Sequence, residues 1–213
     1  MADSAGILSL VVAWLFGLLS PGIVRSIERR YQAKEIRSGI LAELGRLRHT
    51  IALVAFRLRA RAGTLDSEFL TWFGSVFEND DKSDDDGEWR EAYRRLLQLP
   101  PAQLNNSPLG KSLAGQAPRP VPYTLPYLDS QLGNLSLFPI DLQRRLMEVR
   151  YYLQLFNNDV DFVRSMLALT FDPSSLQQNQ AAIDTNIEKG YQALARRSEG
   201  LARDIDQVRG KYA

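Results

Sequence analysis

"FPIDLQRRLMEVRYYLQLFNNDVDFVRSMLALTF", residues 138–171, carries the pattern on which the fold turns. Leu142, Leu146, Val149, Leu153, Phe156, Val160, Val163 and Leu167 recur at alternating steps of four and three. An α-helix turns once in about 3.6 residues, so these side chains form one apolar stripe that folding has to cover. Pro139 suits a first helical turn, where its missing N–H is not needed. Asp172-Pro173 ends the helix, and Ser174 or Ser175 caps the next one.

Moving toward the C-terminus, a last helix over about 175–210 places Leu176, Ile183, Ile187, Leu194, Leu201, Ile205, Val208 and Tyr212 on a related face. Gln180, Gly190 and Ser198 interrupt that seam, which predicts looser packing or a face turned to a partner. Toward the N-terminus, Ile40, Leu44, Leu47, Ile51, Val54 and Leu58 make a third heptad-like seam. No segment shows the strict alternation of a half-buried strand. The fold class is therefore all-α, an antiparallel bundle of long helices with short accessory helices over one end.

The connections are read in the same way. "TLDSEFLTWFGSVF" (64–77) predicts a short helix whose aromatic face of Phe69, Trp72, Phe73 and Phe77 could meet a partner. "EWREAYRRLLQL" (88–99) predicts another, ended by Pro100-Pro101. The Pro-, Asn- and Ser-rich stretch of about 100–123 reads as an irregular connection. A further short helix should start near Thr124 and stop at Gly133-Asn134.

"AGILSLVVAWLFGLLSPGIVRSIERR" (5–30) asks a different question. Residues 5–24 carry no charge, and twenty helical residues reach the roughly 30 Å of a hydrocarbon core. A cleaved export signal should begin with bases and end in a small-x-small site; this one begins "MADSAG", and its bases follow the apolar run. Residues 1–24 are thus expected to be a transmembrane anchor and 25–213 a cytoplasmic helical-bundle domain. Arg25, Arg29, Arg30 and Lys34 hold that side in the cytoplasm under the positive-inside rule, and are candidate headgroup contacts. Pro21-Gly22 should kink the helix or mark its exit from lipid. Ala5, Ser9, Ala13 and Gly17 fall every four residues, a small-residue packing face for another span.

Charge is segregated along the 213 residues although the net is only +1. Residues 25–62 carry ten Arg or Lys against three acids, and residues 63–91 carry ten acids against two bases. The acidic "NDDKSDDDGE" fails as a calcium loop: with Gly87 at position 6, Lys82 falls at position 1 and Tyr93 at position 12. The absence of cysteine excludes disulfides, thiolate metal sites and a cysteine nucleophile. His49, the one histidine, lies off its helix's seam and has no second His or Cys to share a metal with. No P-loop, dinucleotide fingerprint or nucleophile elbow occurs, and no groove-reading motif accompanies the basic helix. No cofactor, metal, catalytic residue or nucleic-acid partner is expected.

The segment "LPYLDSQLGNLSLFPIDLQRRLMEVRYYLQLFNNDV" (125–160), together with the uncharged opening, resembles singly anchored bacterial helical proteins of no assigned activity. The resemblance is carried by Tyr127, the Leu135 to Pro139 step, Tyr151-Tyr152 and Asn157-Asn158, about a sixth of the chain. It implies a bacterial inner-membrane protein and supplies no catalytic residue. The function expected is that of a membrane-tethered scaffold, adaptor or accessory subunit, with the bilayer and a protein, which could be a second copy of itself, as partners. The alternatives are a membrane-active homo-oligomer assembled through the span, or an enzyme-accessory protein whose site matches no motif.

Overall fold

The computed structural model describes residues 3–78, 87–105, 120–171 and 173–212, without the side chains of 3–21, 78, 87–90, 92, 101–102 and 173–178. Helix α1, Asp3–Ala62, is 60 residues long, about 90 Å at the helical rise. It runs as one helix through Pro21-Gly22. It stops at Gly63, whose φ of +64° suits a residue without Cβ, and the Thr64 N–H turns back to the Arg59 carbonyl at 2.9 Å. Helix α2, Ser67–Glu78, starts on an Asp66 cap, with the Phe69 N–H donating to Asp66 Oδ1 at 2.7 Å.

Two short helices follow, α3 (Gly87–Leu97) and α4 (Pro101–Leu104), the latter inside the stretch expected to be irregular. The rest of that connection, 106–119, and the acidic loop, 79–86, lie outside the described residues. The single helix expected over 124–133 is instead α5 (Pro126–Ser130) and a 3₁₀ turn, Leu132–Leu137, which runs straight through Gly133-Asn134. Helix α6 is Ile140–Leu169 and helix α7 is Pro173–Tyr212. No strand occurs among the described residues.

Helix α7 lies between α1 and α6 and runs antiparallel to both. Toward α1 its register is marked by Arg209 beside Gly45, Asp206 on Arg48, and Tyr191 under Arg61. Toward α6 it is marked by Lys211 on Asp141, Arg197 on Asp159, and Gly190 against Val163. The three seams close the core: Leu142 to Val163, Ile40 to Leu58 and Ile183 to Val208 are buried, with Val54 and Leu167 half-buried. Each fully buried Leu, Ile, Val or Phe contributes about 1.5–3 kcal/mol, which makes this packing the main stabilising term.

Two of the three interruptions of the α7 seam, Gly190 and Ser198, are close contacts, whereas Gln180 is exposed beside a kink at Asn179 (φ −136°, ψ 15°). A Cβ added at Gly190 would meet Val163 Cγ2 at 2.5 Å, so the glycine is what lets α6 and α7 approach. Ser198 is buried, and its hydroxyl is satisfied within the helix by the Leu194 carbonyl at 2.7 Å and that of Ala195 at 3.0 Å.

The aromatic face of α2 is likewise turned inward, a correction to its expected role as a partner surface. Phe69, Phe73 and Phe77 are buried against α1, with Phe73 stacked on Phe56 at 4.7 Å and Phe77 edge-on to His49 at 3.9 Å. Trp72 is half-buried; its indole N–H donates to Asp206 Oδ2 at 3.1 Å while Arg203 covers the ring face at 4.7 Å. Asp206 also holds Arg48 at 2.5 Å, so one carboxylate of α7 joins α1 and α2.

Candidate membrane-proximal site

The described core begins at Ile36. N-terminal to it, Gly22 through Gln32 of α1 are exposed, including Ile23 (54%) and Tyr31 (71%). A helix this free of packing is held by its own continuity with the bundle and by whatever surrounds it. Among the described residues no helix is long and apolar enough to cross a membrane. The uncharged run expected to do so, with its packing face of Ala5, Ser9, Ala13 and Gly17, lies on side chains outside that description up to residue 21. The anchor therefore stands on the sequence alone.

The four basic residues named for headgroups do not all line one cleft. Arg25, Arg29 and Arg30 line a cleft of about 570 Å³ together with Gly22, Ser26 and Ala33, closed on the far side by Ser136 and Leu137 of the 3₁₀ turn. Lys34 is exposed but outside it. At helical spacing, Gly22, Ser26, Arg29 and Ala33 continue the line of Ile36 and Ile40, so the arginines overhang the end of the bundle. Ile23, Ile27 and Tyr31 share the opposite face.

The 3₁₀ turn reaches this position because four hydrogen bonds and one close packing contact fix the segment before it. Glu43 of α1 accepts the free N–H groups of Tyr127 at 2.8 Å and Leu128 at 2.9 Å, one on each carboxylate oxygen. Tyr127 packs directly over Gly39, where no side chain would fit beneath its ring. Asn157 of α6 clamps the backbone of Tyr123 from both sides, accepting its N–H at 3.0 Å and donating to its carbonyl at 2.8 Å. Asn105 holds Leu65 in the same two-bond fashion at the other end of α1, at 3.0 and 3.2 Å.

A second cavity, about 270 Å³ between α1, α6 and Val121, is small and mostly apolar. Its polar walls are Thr50, Arg57 and Tyr123; burial raises the Tyr123 phenol above its usual range, and the Arg57 charge opposes that. No carboxylate or imidazole lines it. No group of three or more His, Asp or Glu that could hold a metal occurs among the described residues. His49 is half-buried against Phe77 and not on the open surface.

One apolar surface escaped the sequence reading. Ile140 (82% exposed), Met147, Tyr151 and Phe162 lie on the side of α6 opposite its buried seam. From Met147 onward that outer stripe runs through Gln154, Asn158 and Ser165 without a charge, unlike an ordinary solvated helix face. The signal was present as Ile140, Met147, Tyr151 and Phe162, half a turn from the first stripe. Compared with known proteins, the chain matches no family model, no curated protein and no solved structure.

Proposed function

We propose that the protein is a membrane-tethered helical adaptor: residues 5–24 anchor it in the plasma membrane, the bundle faces the cytoplasm, and the work done is protein–protein binding. The observation that carries the reading is the continuity of α1, one helix from the uncharged run through an exposed basic collar into the core. Tethering confines partner search to the membrane plane and raises effective concentration without any new contact. The uncharged outer stripe of α6 around Tyr151 is the surface left for the partner, since the aromatic face of α2 is buried.

The test is a photo-crosslinking residue in place of Tyr151 in the full chain, activated in intact membranes. A discrete adduct with a different protein supports the adaptor reading. An adduct with the chain itself supports the homo-oligomer instead, and Ala13→Leu with Gly17→Leu would then separate assembly through the span from assembly through α6. No adduct with the photo-crosslinker at Tyr151 or, in a second variant, at Phe162 contradicts α6 as the partner surface and with it the adaptor reading as stated.

A further inference from the structure

The arginine cleft has features that a merely basic tract lacks. We propose that it binds a phosphate group held between α1 and the 3₁₀ turn, and that the ligand is the headgroup of an anionic phospholipid. This rests on the reading that residues 5–24 lie in a bilayer.

Three guanidinium groups, Arg25, Arg29 and Arg30, line one cleft. Each presents planar N–H donors in a fork that matches two phosphate oxygens. Gly22, Ser26 and Ala33 are small, which leaves the floor between the arginines open, and Ser26 and Ser136 add hydroxyl donors from opposite walls. No carboxylate lines the space: Glu35 falls on the other side of the helix at helical spacing, and Glu28 lies on the outer flank of Arg25, three residues along. Among the described residues no ion pair engages any of the three arginines, whereas Arg59, Arg150 and Arg197 elsewhere are each matched to an acid. A cluster of like charges facing one cleft is self-repelling, and a bound anion relieves that repulsion.

Depth agrees with the lipid source. Arg25 is the first charge after the uncharged run. Arg25 to Arg30 then span about 7 Å along the axis, close to the thickness of one polar layer of a bilayer. Because Ser136 and Leu137 of the 3₁₀ turn flank this otherwise open cleft, a headgroup seated there contacts α1 and Ser136 together and fixes the bundle's tilt against the membrane. A free phosphate ion offers the same oxygens, so the source has to be separated by experiment.

The experiment is native mass spectrometry of the full chain in neutral detergent, with phosphatidylglycerol, phosphatidylcholine or inorganic phosphate added in turn. The wild type is expected to retain one phosphatidylglycerol. Arg29→Gln should weaken retention about fivefold, and Arg25→Gln with Arg29→Gln further, at about one factor of five per arginine. Ser136→Glu, which puts a carboxylate on the opposite wall, should abolish it. Lys34→Gln with Arg37→Gln removes two charges outside the cleft and should leave it unchanged. Equal loss in the control pair, or no effect of Ser136→Glu, would overturn the built cleft in favour of a diffuse basic tract. Retention of inorganic phosphate with no preference for the lipid would overturn the headgroup assignment. Carbonate extraction of wild-type membranes, run alongside, reads the anchor separately: a chain washed off the membrane sinks the tether without altering the binding result in detergent.

Discussion

Glu43 caps a helix it does not belong to: its two carboxylate oxygens accept the N–H groups of Tyr127 and Leu128, 84 and 85 residues further along the chain. The first N–H groups of any helix lack partners within it, and a carboxylate also complements the positive end of the helix dipole. Through this contact α1 sets the position of α5, and α5 sets the 3₁₀ turn that closes the arginine cleft. Glu43→Gln keeps the shape but turns one acceptor into a donor facing an N–H. A loss of about 1–2 kcal/mol is expected, and Glu43→Ala should lose at least as much, read by urea unfolding of the full chain in detergent. A Gln variant as stable as wild type would mean the cap contributes nothing.

Glycine substitutions on α7 should change stability in opposite directions. Gly190→Ala drives a methyl into Val163 and should destabilise by about 1–3 kcal/mol. At Gly200 nothing lies within 4 Å of an added Cβ, so Ala there should stabilise by about 0.5–1 kcal/mol through helix propensity alone. Thermal melts followed by circular dichroism decide it, and equal shifts at both positions would refute the close α6–α7 approach.

Little of this polar fastening was legible in the sequence, although the fold was. The seams of Leu142 to Leu167 and Ile40 to Leu58 could be read because a helix repeats its own geometry every few residues. The Glu43 cap and the Asn157 clamp join residues whose spacing carries no periodicity, so no local pattern announces them. The face of Phe69, Phe73 and Phe77 was visible as apolar, but an apolar stripe looks the same whether its cover is another protein or the chain's own α1. Gly190 and Ser198 misled for a related reason: a small residue in a seam marks either a gap or a close approach, and only the facing Val163 tells which. The arginine cleft required Ser136, more than a hundred residues from Arg29, to separate three bases from a fourth.

Asp206 joins three helices, and its removal should show this. Asp206→Ala removes the Asp206 carboxylate from the nearly buried Arg48 and the acceptor from the Trp72 indole. The expected cost is about 2–4 kcal/mol, below that of a fully dry pair because Asp206 keeps 29% exposure. Asp206→Asn keeps an oxygen for the indole and should restore part of it. Unfolding free energies of the two variants provide the check, and an Asn variant no better than Ala would contradict the shared-carboxylate account.

The C-terminal turn of α7 should respond to acid through Asp141. Hydrogen bonds from Lys211, then Tyr212 and Arg144, hold the Asp141 carboxyl well below the usual carboxylate range, and Asp141 in turn raises the Lys211 ammonium. A depressed carboxyl contributes stability that is present above its unfolded value, about 3.9, and is lost as pH falls toward its folded one. The Lys211 contribution is present below about 10.4 and is lost as pH rises through its raised folded value. The melting difference between wild type and Asp141→Asn should therefore be greatest near neutrality and shrink below about pH 4. A difference independent of pH would show that the tether carries no charge-dependent stability.

The central claim is the orientation of α1 across a membrane, and the absence of native cysteine makes it directly measurable. Ser4→Cys and Gly210→Cys each create a single thiol, the latter at a position with open space around it. Whole cells are treated with a membrane-impermeant maleimide before and after the membrane is opened. The account predicts that Ser4→Cys is labelled from outside, and that Gly210→Cys reacts only once the membrane is opened. Labelling of Gly210→Cys in intact cells, or protection of both thiols in a chain that carbonate washes free, would contradict it.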